Sequence, residues 1–443
     1  MVNLVKPSLA WPEAVRLLAR WLDERERIDG LMENLPSALD AVERARCQHL
    51  VFGVIRHAGR LESEIGRLVV HPPRFLTRAI LCVLGFELLE AAETPEAWEG
   101  QVAKIVHHAV EQAKGIASPA EARLINAVGR KLAAVLGRAR PPGPLAAADV
   151  LAEYYSHPEW LVKRWLAAFG ADATRALLDW NQRPAPVYAR WRDRSRPNAA
   201  EPSPIPAWLK PTDWNEFFLL EGRHWPEVEA EIAAGRLYVQ DPATRLAVDE
   251  LDPLPGEIWL DACAAPGGKS LLIADRAGTG RLVAVDRVGA GPDEKKRFAR
   301  FRSNLRLVQG VTADALELDL MGDLTGALRY HKLPEIFAGV LLDAPCSNTG
   351  VMRHRVDVKW RLQEGDMNRH AEQQLALLHA AAKVVAPAGR LIYSTCSIDP
   401  AENEDVVAHF LKVSPQFKLV HQVLARPWEV GHDGAGVFRL VRT

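Results

Sequence analysis

From about residue 235 onward, short apolar runs alternate with helical patterns. This alternation limits the second half of the chain to one fold class. The runs are Ile258–Leu260, Leu282–Val285, Leu307–Val311, Val340–Leu342 and Leu391–Tyr393. Strands that read as continuous apolar runs are buried on both faces, as in a parallel sheet flanked by helices. Helical spacing fills the intervals, for example from Ala371 to Val385. Strand and helix in alternation predict a doubly wound α/β sheet over residues 235–443.

The N-terminal part carries a different pattern. Trp11-Pro12 opens a helix, with Pro12 at a tolerated first-turn position. Ala14, Leu17, Leu18, Trp21 and Leu22 follow at helical spacing. Further amphipathic stretches run over Ala38–His57, Leu61–Val69, Arg78–Ala91, Glu99–Ala113 and Pro119–Leu136. An all-α domain over residues 1–140 is expected. Arg138 to Pro144 breaks the pattern as a linker. Helical spacing resumes from Pro158 to Trp180 and gives way to a Pro-rich region.

That region, within an intermediate segment 141–234, holds Arg183, Arg190, Arg192, Arg194 and Arg196 with Tyr188 and Trp191 among them. Arginines mixed with aromatic rings suit single-stranded RNA, where rings stack on bases and guanidiniums meet phosphates. A solvated linker is the competing reading. The formal net charge is −1, so any RNA-binding surface must come from local clustering of the 55 Lys and Arg.

No apolar run reaches the roughly 18 residues of a membrane span, and the N-terminus has no secretory pattern. The five cysteines are far apart and lack metal-ligand spacing. The expectation is a cytoplasmic chain with free thiols, no metal and no membrane partner.

The chemistry gathers where the expected strands end. Asp261 closes the first, and Cys263-Ala264-Ala265-Pro266-Gly267-Gly268-Lys269 leads into a helix. Glycines admit a ligand close to the backbone, and a helix N-terminus offers unpaired N–H groups. The phosphate-loop spacing fails, because Cys263 stands where its first Gly belongs. Asp286 closes the second strand, where a carboxylate can take both hydroxyls of a ribose. Asp314 is expected just after the third strand, near the base. Cys346, in Asp343-Ala344-Pro345-Cys346-Ser347, follows the fourth strand, and Cys396, in Tyr393-Ser394-Thr395-Cys396-Ser397, follows the fifth. A thiol at such a place is a candidate nucleophile; a packed apolar residue is the alternative for an isolated cysteine. Cys47, Cys82 and Cys263 keep that second reading.

These motifs together resemble the bacterial RNA cytosine-C5 methyltransferases of the Sun/Fmu (RsmB-like) type. The resemblance rests on Asp261–Lys269, on Asp343 to Gly350, and on Thr395-Cys396-Ser397 with Pro400 and Glu402-Asn403-Glu404. Val239-Gln240-Asp241 resembles the segment that opens the catalytic domain, and residues 44–68 and 123–128 resemble a NusB-like helical domain. The resemblance implies a class I (Rossmann-like) methyltransferase domain, with S-adenosylmethionine as cofactor and RNA as partner. That RNA would be 16S rRNA, with tRNA as the alternative, and the chain a monomer. It implies that Cys396 attacks C6 of the target cytosine, Cys346 helps remove the C5 proton, and Asp343 hydrogen-bonds the ring. The backbone of residues 263–269 would hold the cofactor's methionine end, Asp286 its ribose and Asp314 its adenine side, and Asp343 would also be cofactor-binding.

Arg353, Arg355 and Lys359 would hold the RNA backbone. Lys295, Lys296, Arg297, Arg300 and Arg302 would do so too, or form only an exposed helix face. Three departures from the family pattern, at Val356, at Tyr188–Arg192 and at Asp433–Phe438, are expected to bear on RNA choice and to leave the chemistry untouched. A DNA cytosine methyltransferase would use Cys346 as nucleophile and leave Cys396 without a purpose. A non-catalytic RNA-binding or assembly factor is the alternative of another class.

Overall fold

The computed structural model describes residues 9–33, 35–93, 98–192, 204–222, 224–289 and 291–443. Its contacts divide the chain into two units, one of residues 1–184 and 352–362, the other of 185–351 and 363–443. The intermediate segment 141–234 is therefore split: its first part joins the helical unit and its remainder joins the sheet unit.

The helical unit contains α1 (Ala10–Glu24), α2 (Ile28–Glu33), α3 (Ala41–Leu68), α4 (Phe75–Ala92), α5 (Trp98–Ile116), α6 (Pro119–Arg138), α7 (Ala148–Tyr154) and α8 (Glu159–Gln182). The sequence predicts a break in α3 near residue 60, yet α3 runs unbroken for 28 residues. Gly59 sits inside it because a Cβ there would lie 2.8 Å from the Trp360 ring and 3.2 Å from Ser156 Cα. The glycine permits close packing and does not end the helix. α6 begins on a capping box, in which Ser118 accepts from the Glu121 N–H and Glu121 accepts from the Ser118 N–H. α4 is buried almost all round, from Ala79 to Leu88, and forms the middle of the core.

The segment 352–362 follows the Cys346 loop in sequence but packs as part of the helical unit. Val356 is 1% exposed and lies in the helical core. Trp360 Nε1 donates to Ile55 O at 2.8 Å, and Lys359 Nζ donates to Arg56 O at 2.8 Å. Burial, then Arg56, pushes the Lys359 ammonium well below its usual range. Lys359 is thus a packed residue and does not present a charge to RNA. The change at Val356, expected to affect RNA choice, supplies an apolar contact in the core.

The sheet unit begins with a small antiparallel sheet absent from the sequence reading: β1 (Tyr188–Trp191), β2 (Leu209–Pro211), β3 (Phe217–Leu220) and β4 (Leu237–Val239), in the order β2-β3-β1-β4. Two arginines expected at RNA are structural here. Arg190 and Arg192 are both 0% exposed. Arg190 Nη1 lies 2.7 Å from Asp275 Oδ2, and Arg192 pairs with the same carboxylate through two bonds of 2.9 Å. Asp275 belongs to the helix that follows the Gly-rich turn, so the two arginines tie the small sheet to that helix. Arg183 pairs with Asp179 one turn earlier, and Arg194 and Arg196 lie outside the described residues.

The large sheet comprises β5 (Ile258–Ala262), β6 (Gly280–Asp286), β7 (Val311–Glu317), β8 (Phe337–Asp343), β9 (Val385–Thr395), β10 (Phe417–Ala425) and β11 (Ala435–Arg442). Its order is β10-β11-β9-β8-β5-β6-β7, parallel from β9 to β7, with β11 antiparallel to β9. The expected parallel sheet is present, and a C-terminal antiparallel hairpin extends it. Leu260, Val283, Val340 and Leu391 face one core, while Trp259, Leu282, Leu341 and Ile392 face another. This two-sided burial is why the strands read as apolar runs. Chain order reverses between β5 and β8, the kind of crevice where ligands bind in open α/β sheets.

Candidate active site

β5 ends at Ala262, and the chain turns through Cys263 (φ 62°) and Gly267 (φ 98°) before the helix Gly268–Ala277. Gly267 caps that helix in a left-handed conformation, where glycine carries no Cβ penalty. A Cβ on Gly268 would come within 2.9 Å of the Tyr238 ring, so β4 supports the turn from behind. Ala264 lies in one buried apolar cluster with Phe298 and Phe301. Cys263 is half-buried, and burial followed by nearby carboxylates holds its thiol far above the usual range.

Asp286, at the end of β6, accepts the Ala265 N–H at 2.7 Å and an Arg297 guanidinium bond at 3.1 Å. Burial raises its pKa against the pull of Arg297 and the Ala265 N–H. Asp261 is fully buried, accepts from Ser270 Oγ through Oδ2 and has no partner at Oδ1. Burial pushes it up to about 7. The donor set fits S-adenosylmethionine. Free N–H groups at a helix start suit its carboxylate, the strand-end carboxylate of Asp286 suits ribose hydroxyls, and surrounding acids suit a cation.

Asp314 does not stand where the sequence reading put it. The third strand runs over Val311–Glu317, later than the apolar run Leu307–Val311, so Asp314 lies at mid-strand. Its carboxylate pairs at 2.9 Å with Arg281, near the opposite, amino-terminal end of β6. The acid that ends the strand is Glu317, in register with Asp286. Glu317 is exposed, and sequence reading missed it because the strand boundary was placed too early.

The parallel pairing of β8 with β9 sets Asp343 opposite Ser394. Ser394 Oγ donates to Asp343 Oδ1 at 2.9 Å, and Lys269 Nζ donates to Asp343 Oδ2 at 2.6 Å. Burial works against the Lys269 charge, but Asp343 holds its pKa above the usual value. Lys269 thereby bridges the Gly-rich turn and the fourth strand. Beyond this register pair the two loops bring Cys346 Sγ to 3.2 Å from Cys396 Sγ. Cys346 is buried and Cys396 partly exposed. The hydrogen bond with Cys396, then burial, pushes the Cys346 thiol well above its usual range. Asn348, with φ 61°, donates to Cys346 O at 2.8 Å and offers Oδ1 to Cys396 Sγ at 3.4 Å.

A pocket opens beside these groups, lined by Asp241, Lys269, Asp343, Ser394, Cys396 and Asp433 among others. The C-terminal motif at Asp433 therefore lines the same pocket as Cys396. Gly434 N donates to Gly350 O and Gly350 N to Cys396 O, each at 2.9 Å. A Cβ on Gly350 would lie 2.7 Å from Cys396 O, so glycine is required by close approach. The helix Pro292–Leu305 carries Lys295, Lys296, Arg297, Arg300 and Arg302 at exposed positions, and Arg297 faces Asp286.

Comparison with known proteins agrees with this architecture. The family described as 16S rRNA methyltransferase RsmB/F matches residues 248–436, and the NusB family matches residues 12–134. A ribosomal RNA small subunit methyltransferase B of Sodalis glossinidius (strain morsitans) is 33% identical, covering 92% of this chain and 90% of the relative. Its counterpart from Vibrio cholerae serotype O1 is 31% identical, covering 90% and 88%. Among solved structures, PH0851 has a TM-score of 0.70 at 22% identity and covers 97% of this chain and 98% of its own. A methyltransferase homologue protein from Pyrococcus horikoshii has a TM-score of 0.51 at 22% identity, covering 66% and 98%. The two structures are alike in fold.

Proposed function

The chain belongs to the RsmB/F family of 16S rRNA methyltransferases and is an S-adenosylmethionine-dependent RNA methyltransferase; on that premise we propose that it methylates C5 of a cytosine in 16S rRNA through a covalent Cys396 adduct. The observation that carries the reading is the pair of thiols 3.2 Å apart beside the Lys269–Asp343 ion pair.

Bound S-adenosylmethionine would supply an electrophilic methyl group. The backbone of residues 263–269, with Asp343, would hold its methionine end and Asp286 its ribose, with Glu317 taking the place expected of Asp314. Cys396, the more accessible thiol, adds as thiolate to C6, and the C5=C6 pair moves onto C5. Asp343 hydrogen-bonds the ring and supports its protonated form, while Lys269 and Ser394 fix the carboxylate's direction. Once Cys396 is bonded to C6, the sulfur–sulfur hydrogen bond that keeps Cys346 protonated is gone; with its own proton passed to solvent, Cys346 as thiolate takes the proton from methylated C5. The released pair re-forms C5=C6 and expels Cys396. Covalent addition divides one hard alkylation into easier steps. The cytosine must leave its stack to meet the thiol, which favours a single-stranded or looped target.

The test is to incubate each cysteine variant with labelled cofactor and unmodified 16S RNA or tRNA. Cys346→Ser should accumulate a protein–RNA adduct stable to denaturing electrophoresis, and Cys396→Ser should form neither adduct nor product. An adduct on Cys346 would reverse the roles. Label confined to tRNA would overturn the substrate.

A further inference from the structure

A buried carboxylate that no step above uses joins the two thiol loops. Glu402, in the single turn Pro400–Glu402 after β9, is 0% exposed. Its Oε1 accepts the Ser347 N–H at 2.9 Å and Gln374 Nε2 at 3.0 Å. Its Oε2 accepts Ser397 Oγ at 2.6 Å and also Ser347 Oγ. Ser347 immediately follows Cys346, and Ser397 immediately follows Cys396. Gln374 adds a further hold on the first loop, donating to Pro345 O at 2.9 Å. The backbone of Glu402 is fixed too, since its carbonyl accepts Tyr393 OH at 2.6 Å.

Fully buried acids are rare unless paired or richly hydrogen-bonded. Here the donors come from both cysteine loops. Packing alone would be served by an apolar side chain, whereas this arrangement fixes one loop against the other. We propose that Glu402 is a positioning residue that sets the spacing and direction of Cys346 relative to Cys396. It touches neither thiol and acts through Ser347 and Ser397. Addition at C6 and proton removal at C5 engage adjacent atoms of one ring, so two thiols serving them need a fixed mutual geometry. The inference rests on the two-thiol reading above.

The test uses the full chain and Glu402→Gln, which keeps shape and one acceptor oxygen but turns an amide N–H₂ toward hydroxyl donors. Two rates are read. The first is kcat with KM on 16S RNA. The second is closure of a Cys346–Cys396 disulfide by diamide, mapped by mass spectrometry. In that reaction the two thiols give two electrons and two protons to the diazene, which becomes a hydrazine. Misplacement of about 1 Å can cost on the order of 100-fold in rate. The expected result is a fall in kcat of about 30-fold, with KM and cofactor affinity within about twofold and disulfide closure slowed about tenfold.

Gln374→Met, which removes one donor and keeps the carboxylate, should move both rates in the same direction by less, and covers the case in which Glu402→Gln does not fold. Wild-type values of kcat and of closure rate in the variants, even with a lowered melting temperature, would leave Glu402 a structural residue only. If wild-type protein transfers no methyl to cytosine, the two-thiol reading fails, and the closure rate still decides whether Glu402 sets the thiol geometry.

Discussion

Cys346 Sγ and Cys396 Sγ are 3.2 Å apart across fifty positions of sequence. Parallel pairing of β8 and β9 brings their loops side by side, and the hydrogen bond between the sulfurs makes the two thiols chemically unequal. Cys346 is buried, and its pKa is raised first by the hydrogen bond with Cys396 and then by burial.

Iodoacetamide at pH 8 should therefore modify Cys396 well before Cys346, because the thiolate is the reacting form and Cys346 holds its proton. Replacing Cys396 by Ala removes the largest cause of the raised pKa, so alkylation of Cys346 should speed up. Peptide mapping against time reads both rates; Cys346 reacting first would contradict the assignment.

Cofactor affinity should depend on Glu317 and not on Asp314. Glu317 ends β7 in register with Asp286, whereas Asp314 is engaged by Arg281 at mid-strand. Glu317→Ala should weaken S-adenosylmethionine binding by about tenfold, the worth of one hydrogen bond to a charged group. Asp314→Ala should leave it within about twofold. Isothermal titration of both variants distinguishes the two strand-end readings.

The Arg190–Asp275–Arg192 cluster should prove structural. Arg192 is fully buried and doubly bonded to Asp275. Arg192→Met breaks a buried pair from one side, which typically costs about 3–5 kcal/mol. The urea midpoint should drop sharply, while RNA affinity of the folded fraction at low urea stays near wild type. A loss of RNA affinity without loss of stability would restore the RNA-binding role read from the sequence.

Asp261 predicts a pH dependence of stability. Burial raises its pKa to about 7, above the roughly 3.9 of an unfolded chain. Between these values the unfolded chain holds fewer protons than the folded one, so stability falls as pH rises from about 4 to about 7 and is level above. The shift corresponds to roughly 4 kcal/mol at most. Asp261→Asn should flatten this limb in urea titrations across the range; an unchanged slope would assign it to other groups.

Sequence reading went furthest where local pattern carries the information. Apolar runs marked four of the five predicted strands, because burial on both faces leaves no polar positions. It failed at β7, where Asp314, Leu316 and Glu317 follow a partly exposed edge pattern and the neighbouring Leu307–Val311 run drew the boundary too early. It also failed at β1, where Arg190 and Arg192 look like surface charge. Nothing local shows that Asp275, more than eighty positions away, neutralises them inside the fold.

The sequence alone determined the kinds of element, the Gly-rich turn and the two cysteine motifs at strand ends, since each depends on residues within a few positions. Only the tertiary structure decided which strand ends adjoin. Parallel strands pair through long crossovers, and a buried strand's pattern says that both faces are covered but not by which neighbour. The β9-β8-β5 order puts Lys269 on Asp343 and Cys346 on Cys396. It also leaves Glu402 between the two loops, where its four donors come from residues 347, 374 and 397.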